Sequence, residues 1–157
     1  MTEIDFYIAS SNAADSAAVT DTGREAHLIA CRLAEKAYRR GLRVYVHTGC
    51  SDSASAFDTM LWDFRPNAFV PHALTESPEA RLAEVLIGCD GETPGGHEAS
   101  MERREVLINL SGERPSFFPS YQRLAEIVAA DEPSKIASRE RYRYYKDRGY
   151  PLKVHNL

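Results

Sequence analysis

The sequence predicts an α/β fold in which a mostly parallel sheet carries helices on both faces, and three observations lead to it. Short apolar runs rich in β-formers alternate with stretches of helical periodicity. The clearest of these runs is apolar almost throughout, as a strand buried on both faces should be. No internal repeat, low-complexity stretch or linker interrupts the 157 residues, so a single domain over 1–157 is expected.

Ile4-Asp5-Phe6-Tyr7-Ile8-Ala9 reads as the first strand. A polar loop follows to about Gly23. A helix is predicted from about Arg24 to Arg40, with Leu28, Cys31, Ala34 and Tyr38 at helical spacing and Gly41 as its stop. Arg43 to His47 is the second strand. A helix capped by Asp52 or Ser53, carrying Ala56, Met60 and Leu61, should end near Phe64, before Pro66. Phe69-Val70-Pro71 reads as a short extended piece, and Val85-Leu86-Ile87 and Val106-Leu107-Ile108 as further strands. Between the last two lies a glycine-rich stretch, Asp90 to Ser100, expected to be an exposed loop. Phe117 to Arg123 suggests a short helix. Glu126-Ile127-Val128 fits either a strand or a continued helix. The last helix is expected to open at Asp131-Glu132-Pro133 and stop at Gly149, followed by a short tail.

Composition narrows the function classes. The chain is 43% apolar and 27% charged, with net charge −4. No apolar run approaches the ~20 residues a bilayer span needs, and the first residues carry no secretory signature, so no membrane partner is expected. Three widely spaced cysteines (Cys31, Cys50, Cys89) suit a reducing cytoplasm. The charge is uneven: residues 135–153 hold seven basic and two acidic residues, net +5, against −9 elsewhere. A basic end on an acidic body points to an anionic partner met at one place.

Catalytic frames are incomplete. The stretch after the first strand, Ser10-Ser11-Asn12-Ala13-Ala14-Asp15, has neither the glycines nor the lysine of a phosphate loop, so no cofactor is expected. His27 with Cys31, and His47 with Cys50, give two ligands at a time, too few for a tetrahedral metal site. Gly49-Cys50-Ser51-Asp52-Ser53 lies where a nucleophile elbow would, between strand and helix, but lacks the final glycine. The alternative function it leaves open is a small nucleotide- or phosphoester-handling enzyme using His47, Ser51 and Asp52.

Two clusters remain. Trp62, with Phe69 and Pro71 downstream, reads as core or as an exposed anchor pair. Lys135, Arg139 and Tyr142 fall at i, i+4 and i+7, so they share one helix face, with Arg143 and Lys146 a turn beyond. That face is a solvated basic surface or a seat for a carboxylate beside an aromatic ring.

The order and spacing of several blocks resemble the chi subunit family of bacterial DNA polymerase III. They are the Phe6-Tyr7 strand, the helix–Gly–strand passage Ala34 to Val46, and Phe57-Asp58-Thr59-Met60-Leu61-Trp62 followed by Phe69-Val70-Pro71-His72-Ala73-Leu74. Further on come Val106 to Ser111 and the ending, Ser138 to Lys146 with Gly149-Tyr150-Pro151-Leu152. Residues 76–104 carry little of the likeness. The resemblance implies a three-layer Rossmann-like sheet without a phosphate loop and a non-catalytic role beside the clamp loader. It further implies two protein partners, the psi subunit and the acidic C-terminal tail of single-stranded-DNA-binding protein. It carries the tail site onto Val128, Lys135, Arg139 and Tyr142, and the psi site onto Trp62, Phe69 and Pro71, a surface that in some members also receives a helicase-type partner.

Overall fold

In a computed structural model of the chain, the structure describes residues 2–9, 19–66, 69–75, 77, 83–89 and 105–156. The glycine-rich stretch Asp90 to Ser100 and the polar loop Ser10 to Asp15 lie outside them. Seven strands form one parallel sheet: β1 (Glu3–Ile8), β2 (Val44–His47), β3 (His72–Leu74), β4 (Val85–Gly88), β5 (Val106–Asn109), β6 (Arg123–Val128) and β7 (Leu152–Asn156). Their order is β3-β4-β2-β5-β6-β1-β7, and every pairing is parallel. The helices are α1 (Val19–Arg39), α2 (Ser51–Asp63) and α3 (Glu132–Asp147), with a 3₁₀ turn at Phe118–Ser120.

The period-2 alternation of a strand divides the core into two layers. Val44, Val46, Val85, Ile87, Val106, Ile108 and Ile127 face α1 and α2. Ile4, Phe6, Tyr45, Leu86, Leu107, Leu124 and Val128 face the other way, toward Tyr145 of α3 and the Phe118–Tyr121 segment. A sheet buried on both sides is what the continuous apolar runs require.

Several elements differ in detail from the sequence expectation. The buried stripe of α1 runs through Ala30, Cys31, Ala34 and Ala37, small residues that let the helix approach the sheet closely, while Leu28 lies half-buried outside it. On α2 the buried positions are Ala54, Phe57 and Leu61; Ala56 is exposed and Met60 half-buried. Its cap is neither Asp52 nor Ser53 but Cys50, whose Sγ accepts from the Ser53 backbone N–H at 3.5 Å. Gly49 ahead of it sits at φ +86, where a Cβ would press to 2.9 Å from that of Ser111, so glycine suits the turn on both counts.

The extended piece at 69–71 leads into β3 rather than forming it. The expected helix over Phe117–Arg123 shrinks to the 3₁₀ turn, because the chain enters β6 at Arg123 and pairs with both β5 and β1. Glu126-Ile127-Val128 is therefore strand. The expected tail is also strand: Leu152–Asn156 pairs with Ile4–Ile8. Gly149 at φ +81 ends α3, and its N–H reaches the Lys146 carbonyl at 3.0 Å.

Candidate functional site

The basic helix α3 begins at a built cap. Asp131 accepts from the Ser134 backbone N–H at 3.0 Å and from the Ser134 hydroxyl at 2.8 Å, and Pro133 occupies the first turn. Burial is the largest single influence on the Asp131 carboxyl and raises it, but the donors from Ser134, with the Lys135 charge, together outweigh it and hold the group below its usual range.

The helix then turns one polar stripe inward. Ser138, Arg141 and Tyr145 are its buried residues. The fully buried Glu126 of β6 receives Arg141 Nε at 3.1 Å and the Tyr145 hydroxyl at 2.7 Å on one oxygen, and Asn109 Nδ2 of β5 at 2.5 Å on the other. Arg141 Nη1 also donates to the Gly112 carbonyl at 2.6 Å. Burial lifts the Glu126 carboxyl above its ordinary range despite the attraction of Arg141 and the three donors. Burial likewise raises the Tyr145 phenol, with the Glu126 charge adding to it. Each charged or polar member meets a partner, which a dry interior demands.

Arg141, counted from sequence among the basic end, is thus an internal residue. Arg148 and Arg114 lie over the Tyr144 ring, at 3.5 Å and 3.6 Å from its centroid. Arg139 differs from Arg141: it is exposed, and among the described residues no acidic partner meets it. Lys135 is half-buried on the same side. Tyr142 packs its ring edge-on to Phe6, centroids 5.6 Å apart, which fixes it beside Arg139 while leaving it partly open. Val128 is 1% exposed and belongs to the buried layer that holds Phe6 and Tyr145, with Tyr142 packed against that layer. A small cavity of about 120 Å³ touches Val128, Ser134 and Arg141 and opens toward Ala26 and His27 of α1.

At the other end of the sheet, Trp62 on α2 and Phe69 before β3 are 59% and 66% exposed, which decides against a core role for either. Pro71 is half-buried, and its carbonyl accepts from Val85 N at 3.0 Å, tying the segment to β4. The indole of Trp62 leans on His72, ring centroids 4.6 Å apart.

Ser51 and Asp52 are exposed at the start of α2. Ser51 lines a narrow cleft with Thr75 and Gly88, whereas His47 lines a separate open cleft of about 540 Å³ with Thr48, Cys50, Ser53, Ser111 and Glu113. Cys50 is exposed, and donors from Ser53 hold its thiol below the usual range. Cys31 is buried, which pushes its thiol up to about 12. His27 stands edge-on to Phe57 at 5.9 Å, and burial lowers its pKa, a packing role. Among the described residues no three His, Cys, Asp or Glu side chains converge as metal ligands, and no helix is long and apolar enough to cross a membrane.

Residues 1–153 match the family model described as "DNA polymerase III chi subunit, HolC". The chain belongs to the DNA polymerase III chi subunit family. It is 43% identical to the DNA polymerase III subunit chi of Pseudomonas aeruginosa over 159 aligned positions, covering 100% of this chain and 98% of that protein. It is 32% identical to the chi subunit of Haemophilus influenzae, covering 82% and 85% of the two chains, and 29% identical to that of Escherichia coli, covering 79% and 80%. Membership makes this chi-family chain an accessory subunit of the replicative polymerase. The fold the resemblance implied, an open parallel α/β sheet in three layers, is the one observed.

Sequence reasoning missed the Glu126–Arg141–Tyr145–Asn109 network. Its signals were one charged residue inside the apolar run Leu124–Val128, and Ser138, Arg141 and Tyr145 at helical spacing, a polar stripe where an apolar one belongs. It also missed His72, whose environment is set by residues 14 and 10 positions earlier.

Proposed function

We propose that this chain is a non-catalytic, clamp-loader-associated chi subunit acting as a cytoplasmic tether. The α3 face of Lys135, Arg139 and Tyr142, together with Val128, captures the acidic C-terminal tail of single-stranded-DNA-binding protein. Trp62, Phe69 and Pro71 dock the psi subunit or, in its place, a helicase-type partner. DNA is then met mainly through its coating protein, in keeping with the net charge of −4.

One observation carries the tail reading: α3 sorts its cations. Arg141 is neutralised inside by Glu126, whereas Arg139, half a turn away, stands exposed and unpaired among the described residues beside a partly open tyrosine. A free guanidinium fork next to an apolar ring suits a chain end that presents a carboxylate and an apolar side chain together. Lys135 adds a second cation one turn back for the acidic residues that precede that end. Docking at two separate faces raises the local concentration of each partner for the other without new chemistry.

A charge-assisted hydrogen bond contributes about 1.5–3 kcal/mol, and about 1.4 kcal/mol corresponds to tenfold in affinity. Arg139→Ala should therefore weaken binding of an acidic tail peptide at least tenfold in calorimetric titration, and binding by the unaltered chain should fall as salt rises. Equal affinities for the two proteins would remove Arg139 from the site.

A further inference from the structure

The exposed aromatics of the proposed docking surface come from different elements, and one buried side chain touches the supports of both. The His72 side chain is 1% exposed. Its Nδ1 lies 2.6 Å from the carbonyl oxygen of Val70, the neighbour of Phe69. Its Nε2 faces Asp58 Oδ1 at 3.4 Å, and Asp58 lies one helical turn before Trp62 on α2. Its ring supports the Trp62 indole at 58° between the planes. Val70 itself is buried at 2% exposure, so the segment that carries Phe69 is anchored there.

An exposed tryptophan left to its own rotamers loses freedom when a partner closes over it, and that loss weakens the complex. A ring packed under the indole removes much of the freedom beforehand. The Nδ1–H donated to Val70 does the same for the segment bearing Phe69. We infer that His72 is the positioning residue of this surface, holding Trp62 and Phe69 as one preformed aromatic patch for a protein partner with a complementary apolar recess. The inference rests on the reading of Trp62, Phe69 and Pro71 as a docking site.

The chain has a single tryptophan, so its fluorescence anisotropy reports the mobility of this indole alone. His72→Ala should lower that anisotropy and weaken binding of purified psi subunit at least tenfold, while affinity for the acidic tail peptide, read at the far end of the sheet, stays unchanged. His72→Asn keeps an N–H toward Val70 but no ring. It should recover part of the binding and leave the indole mobile, a split that general loosening of the fold would not give. If His72→Ala does not fold, His72→Phe, which keeps a ring but no donor, replaces it: the indole should stay rigid and binding should still fall. Wild-type anisotropy and affinity in the His72 variants, with Trp62→Ala losing the partner, would overturn the positioning role. Binding that survives Trp62→Ala would instead overturn the docking reading, and anisotropy alone would then decide whether His72 holds the indole.

Discussion

At the scale of single residues, the contrast between Arg139 and Arg141 shows how position decides chemistry. Both are arginines on one helix, two residues apart. The 200° between them on a helical wheel turns one to solvent and the other onto Glu126. Removing one partner of such a buried pair strands the other charge and costs about 3–5 kcal/mol. Arg141→Met should therefore destabilise the fold by that order in urea titration. Replacing both members with apolar residues (Glu126→Leu with Arg141→Met) should cost much less than the sum of the single changes, because no ion is then left dry. A double variant as unstable as that sum would show the two residues acting separately. The shape of α3 offered few hints of this: a lone Arg in a basic helix reads as surface until the strand beneath it is known to carry a buried carboxylate.

At the scale of elements, the cap of α3 is legible from sequence and its acid sensitivity follows from the structure. Asp131 lies below its usual range in the folded chain, so the native state binds its proton less tightly than the unfolded one. Its contribution is then fully present above the unfolded carboxyl value of about 3.9 and is lost as pH falls through the lower folded value. Asp131→Ala should cost about 0.5–2 kcal/mol at neutral pH. The gap between the melting curves of variant and wild type should narrow as the pH falls below the unfolded carboxyl value and on through the lower folded one, where the carboxyl is protonated in both states. A gap unchanged by acid would mean that Asp131 acts by packing and not by its charge. The strand β7 teaches the opposite lesson. Leu152 to Asn156 looks like a tail because Lys153, His155 and Asn156 interrupt its apolar pattern. It becomes a strand because β1 offers a free edge, and its place at the outside of the sheet tolerates exposed polar residues. Tyr7 stacks on His155 at 4.6 Å, and Asp5 meets the same ring at 3.2 Å, which fixes the pairing from the side-chain level.

At the scale of the whole molecule, the strand order separates the two proposed docking surfaces. Trp62 and Phe69 adjoin β3 and β4 at one end, whereas Arg139 and Tyr142 lie over β6 and β1 near the other. With about 4.8 Å per strand, that is roughly 20 Å across the sheet. Sites that far apart with no shared partner should respond independently. Trp62→Ala should leave tail-peptide affinity within twofold, and Arg139→Ala should leave docking at the Trp62 surface equally untouched. Titrations of the double variant against each partner would check this, and a change at either surface beyond the single-variant effect would reveal coupling through the sheet.

The local signals in the sequence determined the alternation of strand and helix, the capped basic helix and the blocks that mark the chi family. These are short-range properties: apolar periodicity, turn and cap residues, and motifs that need no partner to be read. The tertiary structure decided which of the cations in the last helix turns inward, that Trp62 is exposed, that the last residues pair with β1, and that His72 spans two elements. Each of these depends on residues far apart in sequence meeting in a dry interior or at a sheet edge, where the energy of a group is set by its neighbours and not by its own type.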